Sequence, residues 1–261
     1  MSVSDRFGIT ITDVVKMLAE QGFDAISPLK SNNNDTFIEA VTAAKDCGLA
    51  LQSLHAPFHR VNGFWKDDED TETAMDEHLT AIEDAARYEI PVVVCHAWIG
   101  FNNIIEPKEQ HLEKIAVLDN RARELGVKLA FENTEGEQHL KMILDNFKDI
   151  GFCWDSGHEM CYNHSQDMLA LYGDRLYMTH MNDNLGIKAF DGTITWHDDL
   201  HLLPFDGIGD WDDFALRLKR SRPQEIINFE LKTNFDTKAD AESYFAECYK
   251  RACRFAYKLT K

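Results

Sequence analysis

Residues 91–98 read PVVVCHAW, a continuous apolar run that closes on His96, Ala97 and Trp98. A strand without polar alternation is buried on both faces, the condition of a parallel sheet covered by helices. Working outward, similar short runs recur at residues 24–28 (DAISP), 49–55 (LALQSLH), 127–132 (VKLAFE), 150–155 (IGFCWD), 176–180 (LYMTH) and 225–230 (EIINFE). Between them, residues 12–22, 36–48, 71–88, 108–126, 139–147, 165–172, 211–220 and 238–259 predict helices. The first opens on a capping Thr12 and closes on Gly22. Strands alternating with helices imply right-handed βαβ units. Seven clear strands, with residues 1–4 as a short eighth, fit an α/β fold: a single (β/α)8 TIM barrel over residues 1–261. Its active site is expected at the C-terminal mouth of the strands. An open doubly wound sheet is the alternative, but its first turn carries a glycine-rich fingerprint, and residues 5–8 read Asp5, Arg6, Phe7, Gly8.

The 261 residues hold 45 acidic against 27 basic side chains, a net charge of −18. Nucleic-acid binders neutralise phosphates with clustered Lys and Arg, and peripheral helices need cations against anionic lipid, so both classes are disfavoured. With 44% hydrophobic and 28% charged residues the chain is globular rather than disordered. No apolar run approaches the roughly 20 residues of a membrane span, and residues 1–10 lack a signal pattern, so a cytoplasmic protein is expected. The six cysteines form no C-x-x-C pair, and Cys95 and Cys153 read as buried free thiols. The charge run at residues 66–72 (KDDEDTE) reads as a solvated loop or a helix start.

The chemistry shows at the strand ends. The apolar runs lead to His55, His96, Glu132, Asp155 (with His158 three residues on), His180 and Glu230. In a barrel these ends converge on one mouth. One such residue is ordinary; six strands ending this way are not, because crowded carboxylates repel one another. A divalent cation removes that cost. Carboxylates and imidazoles without a thiolate suit Mn2+, Mg2+, Co2+ or Zn2+.

The motifs FEN (131–133), WDSGH (154–158), HMND (180–183) and DLHLLPFDGIGDW (199–211), in this order, resemble the xylose isomerase-like TIM-barrel superfamily. That group holds sugar and sugar phosphate isomerases and epimerases together with endonuclease IV. The resemblance implies a single catalytic divalent metal, Mn2+ first among the candidates, held by Glu132, Asp155, His180 and Glu230. It also implies that Glu132 and Glu230 act as acid and base on opposite faces of the substrate, through an enediolate. His158 matches a position that contacts substrate oxygens, and His55, His96, Trp98 and His201 are further candidates for substrate contact. Asn133 and Asn182 are candidates either to orient ligands or to form loop turns.

The endonuclease IV branch uses a larger ligand set for several zinc ions, and His55, His96, His158, Asp199 and His201 are counterparts as extra metal ligands. Charge separates the branches. The mouth loops here are acidic or neutral (Glu135, Glu137, Glu159, Asp183, Asp191, Asp198), where a DNA enzyme needs a basic track. Several isomerases carry a substrate-contacting Arg where this chain has Gly186; Arg60 and Lys188 are the candidates to replace it. The expected function is a metal-dependent sugar or polyol isomerase or epimerase acting on a small sugar, ketose or cyclitol, without nucleic-acid or membrane partners. A homo-oligomer stays open. An endonuclease IV-like phosphodiesterase, a lyase or dehydratase on the same chassis, and a barrel that binds without turnover are the alternatives. Phe58, Phe64, Trp65, Trp98 and Trp196 fall in loops beyond strand ends, where they either wall a sugar pocket or cap the barrel or meet another copy. Tyr244, Phe245, Tyr249, Phe255 and Tyr257 read as a core-packing stripe on the last helix.

Overall fold

A computed structural model describes residues 1–261 except 5–7, 31–33, 190, 233–234 and 236. Asp5, Arg6 and Phe7 of the first turn therefore lie outside the described residues. Strands β1 (Ser2–Val3), β2 (Ala25–Pro28) and β3 (Ala50–Leu51) form one parallel sheet. Strands β4 (Leu54–His55), β5 (Val92–His96), β6 (Lys128–Glu132), β7 (Gly151–Asp155) and β8 (Leu176–His180) form a second, each beside its successor. The two are joined where Lys30 N donates to the His55 carbonyl at 2.8 Å. On the far side residues 228–230 lie between β8 and β1. Met181 N donates to Asn228 O and Ser2 N to Phe229 O, both at 2.9 Å. The sheet thus curls back toward its first strand, an α/β arrangement of the TIM-barrel kind.

Two predicted strands are shorter than their patterns. Residues 49–55 split into β3 and β4, because Gln52 N still donates to Ile26 O in the first sheet while Ala56 N donates to Val94 O in the second. Residues 225–230 reduce to one bridge, Met181 with Phe229. Asn228 N donates to Thr179 Oγ1 at 3.0 Å, a side chain standing where a ladder carbonyl would be.

The predicted helices are present as α1 (Ile11–Gln21), α2 (Asn34–Cys47), α3 (Glu69–Arg87), α4 (Leu112–Leu125), α5 (Glu137–Asn146), α7 (Met168–Tyr172), α8 (Trp211–Arg220) and α9 (Lys238–Leu259). The charge run is the start of α3: Asp68 caps it in a reciprocal box with Thr71, and Glu69, Asp70 and Glu72 face the positive end of the helix dipole. On α9, Phe245 and Phe255 are buried as expected, whereas Tyr257 is exposed. Among the described residues no helix is long and apolar enough to cross a membrane.

One helix has no counterpart in the sequence pattern. α6 (Ser156–Cys161) starts because the Asp155 side chain accepts the His158 N–H at 2.7 Å. It also buries Glu159, whose Oε1 accepts from both Arg217 terminal nitrogens at 2.7 and 2.6 Å and whose Oε2 accepts from Trp154 Nε1 at 2.9 Å. Burial pushes the Glu159 carboxyl up to about 7 although Arg217 pulls it down. Removing Arg217 leaves that group buried without its partner. Arg217→Ala is expected to cost about 3–5 kcal/mol, read from the midpoint of urea unfolding. Arg217→Lys should recover only part of it, since an ammonium cannot pair bidentately.

Candidate metal centre

Side chains two apart on a strand share a face. Val92, Val94, Ala130, Cys153 and Met178 form one small buried cluster inside the curl. The next position on that face is ionisable on every one of these strands: His96 on β5, Glu132 on β6, Asp155 on β7 and His180 on β8. His96 lies opposite Glu132, and Asp155 opposite His180. The outward positions, such as Val93, Phe131 and Trp154, pack in the large core beneath the helices.

Glu132 is the hub. Its Oε1 accepts a hydrogen bond from His180 Nδ1 at 3.0 Å and lies 3.3 Å from His158 Nδ1. Its Oε2 is 3.4 Å from His55 Nε2 and 3.3 Å from His96 Nε2. His180 Nδ1 is also 2.9 Å from Glu230 Oε2. One ring N–H cannot satisfy both carboxylates fully. Asp155 is held from behind, with Asn182 Nδ2 donating to its two oxygens at 3.1 and 2.9 Å and Asn133 bonded to its backbone N–H and carbonyl. Asn133 and Asn182 therefore orient a candidate ligand. Gly157 is required beside them, because a Cβ there would lie 1.9 Å from Asn182 Oδ1. Asp199 Oδ1 is 2.8 Å from His201 Nε2 and 3.5 Å from His158 Nε2.

Burial opposes charge on these groups, and their neighbours outweigh it. Burial alone would lower His180, but Cys153, Glu132 and Glu230 raise it well above the ordinary imidazole value. His158 is raised against burial by Asp155 and Asp199, and His201 reaches about 9, chiefly through Asp199. Glu132 and Glu230 are held below the carboxylate range against burial, first by His180. His96 and Asp155 go the other way: burial lowers His96 to about 4 and raises the Asp155 carboxyl above its ordinary value.

Glu132, Asp155, His180 and Glu230 bring donor atoms within 4.8 Å of one another; His55, His96 and Glu132 do the same, as do Asp155, His158 and His201. Glu132 Oε2, His158 Nδ1 and Asp199 Oδ1 are buried without a hydrogen-bond partner. Unmade bonds of this kind are costly, and a cation held by Glu132, Asp155, Glu230 and His180 would offset the crowding of the three carboxylates and offer Glu132 a partner. The residues fit a divalent metal. Cys153 is also within reach of Glu132 and His180, and in the metal-free protein burial pushes its thiol up to about 12.

The cluster forms the floor of a cavity of about 440 Å3. His55, His96, Glu132, His158, Asp199, His201 and Glu230 line it, with Phe58 and Trp196 from the expected aromatics. Asp155 and His180 are buried beside them. Trp98 does not reach the cavity. It is 1% exposed and stacks on His139 with ring centroids 4.6 Å apart. Phe64 and Trp65 are likewise core residues, because the loop after β4 folds back and Trp65 Nε1 donates to the Ala97 carbonyl. Arg60 pairs with Asp70 and Lys188 reaches His197 O, so neither lines the cavity, and Ile208 packs toward Gly186 where the Arg was expected. Three acidic residues read as mouth charges are internal: Glu159 faces Arg217, Asp183 accepts from Trp211 Nε1, and Asp198 caps a turn. The cavity walls also include Phe101, Glu135 and Tyr162. In the sequence Glu135 is legible only as a loop charge, and Phe101 and Tyr162 follow no periodic pattern that marks them.

A curated relative, an uncharacterised protein (y4fM) of Sinorhizobium fredii (strain NBRC 101917 / NGR234), is 34% identical over 145 residues, covering 52% of this chain. The chain spans 42% of that relative's length. Among solved structures, the IolI protein with a binding zinc atom superposes with a TM-score of 0.74 at 17% identity, covering 99% of this chain and 96% of that one. The 3-keto-D-glucoside 4-epimerase of E. coli superposes with a TM-score of 0.69 at 16% identity, covering 96% and 97%. At those identities the likeness is one of fold. A family model described as xylose isomerase-like TIM barrel matches residues 15–258, nearly the whole length of the chain. With the fold and the motif order in agreement, this chain belongs to the xylose isomerase-like TIM-barrel family.

Proposed function

We propose that this chain is a divalent-metal-dependent sugar or polyol isomerase or epimerase. The observation that carries the reading is that Glu132 and Glu230 both reach His180 at one cavity, with no Lys or Arg paired to either among the described residues. Glu132, Asp155, His180 and Glu230 would hold the cation, which when bound polarises a substrate carbonyl and acidifies the neighbouring carbon-bound proton. One glutamate takes that proton and the other returns one. His158, between Glu132 and Asp199, is suited to contact a substrate oxygen, with His55, His96 and His201 around it. Three carboxylates favour a hard ion, so Mn2+ leads, with Mg2+, Co2+ and Zn2+ as alternatives. The zinc in the IolI structure supports a divalent ion, and the epimerase neighbour a small sugar substrate. We take the chain as a single cytoplasmic domain.

The extra donors His55, His96, His158, Asp199 and His201 favour a second reading, a multinuclear phosphodiesterase. Against it, Lys232 is the only Lys or Arg lining the cavity among the described residues. Metal analysis separates the two: about one ion per chain is expected, and two or three ions with cleavage of abasic DNA would favour the phosphodiesterase. Affinity for the ion should fall as pH falls. His180 holds its proton through neutrality in the metal-free protein and must release it to bind, so affinity changes by up to about tenfold per pH unit. Calorimetry in buffers of different ionisation enthalpy should count at least one proton released; no release would contradict His180 as a ligand.

A further inference from the structure

The metal-binding cluster occupies only the floor of the cavity, and the outer part is a different chemical environment. Phe58, Phe101 and Tyr162 give it an aromatic wall, and Trp196 stands at its rim. Of the five tryptophans, Trp65, Trp98, Trp154 and Trp211 are at most 3% exposed, whereas Trp196 is 63% exposed. Exposure of this kind usually marks a loose loop, but here the turn is anchored. Asp198, 3% exposed, accepts from Thr195 N at 2.9 Å and Lys188 N at 3.1 Å, and its carbonyl accepts from the buried Asn184 Nδ2 at 2.8 Å. His197 N donates to Thr195 Oγ1 at 3.2 Å. The turn is thus anchored beside the mouth; part of the indole lies against the His197 ring, centroids 3.6 Å apart, and the rest is uncovered. A cavity of about 440 Å3 lies in the range of roughly 300–1,000 Å3 that takes drug-sized ligands, more room than one sugar ring fills.

We infer that the substrate is a neutral two-ring sugar, a carbonyl sugar carrying a second sugar or an aglycone. Its reacting ring sits at Glu132 and Glu230, and its outer ring packs on Trp196. The inference rests on the isomerase reading for the inner ring and adds the outer one. Stacking on the part of the indole that His197 leaves uncovered removes apolar surface from water on both partners.

The test uses the metal-loaded protein and tryptophan emission, in which Trp196 supplies the red-shifted component. The probes are D-fructose, fructose 6-phosphate and the ketose disaccharides turanose, palatinose and lactulose. At least one disaccharide is expected to bind about tenfold tighter than fructose and to shift the emission to the blue. In Trp196→Ala the ratio of disaccharide to fructose affinity should fall about tenfold, and Trp196→Phe should restore part of it. Fructose binding without a disaccharide gain, or a larger gain from the phosphate, overturns the inference while leaving the isomerase reading intact. Emission that is blue before any sugar is added and reddens on dilution puts a second copy over Trp196 and also overturns it. No response to any sugar contradicts both.

Discussion

Glu230→Gln is expected to lower kcat by about a thousandfold or more, with the fold and most of the substrate affinity retained. The change keeps the shape of the side chain and removes the negative charge and the proton-accepting oxygen. Positioned acid–base groups contribute roughly 10²–10⁴-fold, and Glu230 would lose its role as a ligand as well. Glu132→Gln should be at least as damaging, but it is the less clean variant. Glu132 is 1% exposed and touches His55, His96, His158 and His180, so its charge also holds four imidazoles in place. The Glu230 side chain is 19% exposed and open to the cavity. With two bases on opposite faces, Glu230→Gln should still exchange the proton of whichever epimer presents it to Glu132, without converting that epimer to the other. Exchange from the same epimer in both variants would contradict the two-base assignment.

Removing the cation is the second large effect. Saturation at about a thousandfold above Kd stabilises the folded chain by about 4 kcal/mol, because the unfolded chain has no assembled site. For a domain of this size that corresponds to a rise in Tm of about 10 °C over the chelated protein. The cost of the metal-free state lies in Glu132 Oε2, buried without a hydrogen-bond partner, and in three carboxylates crowded round one floor. His180→Ala should abolish the metal-dependent rise, and Asn182→Ala should weaken it, since Asn182 fixes both oxygens of Asp155. A thermal shift independent of added Mn2+, Zn2+, Co2+ and Mg2+ would contradict a built metal site.

The donors were legible because period-two alternation carries them. His96, Glu132, Asp155 and His180 close strands whose inward positions are otherwise Val94, Ala130, Cys153 and Met178, so apolar runs ending in an ionisable residue pointed at one mouth. Residues positioned by loops were not legible in this way. Trp98 and Trp65 are in the core because loops fold back over β4 and β5, a contact distant in sequence, and their aromatic character alone fits pocket and core equally. α6 was invisible since six residues including Gly157 have no helical stripe; its start depends on the Asp155 cap and its fit on Asn182. Acidic residues on loops gave the same difficulty. Asp183, Asp198 and Glu159 satisfy buried donors instead of charging the surface, so the acidity of the mouth rests on Glu135 and the cluster itself.

The most direct test is the appearance of solvent deuterium in the sugar. In ²H₂O, the metal-loaded protein incubated with ketoses, ketose disaccharides and inososes should place deuterium at the carbon beside the carbonyl. Mass and proton spectra read the label, chelation should abolish it, and in the Glu132→Gln, Glu230→Gln double variant it should be absent. Deuterium-free sugars in every case, alongside hydrolysis of abasic DNA by the same preparation, would contradict proton transfer by these glutamates and favour the phosphodiesterase reading.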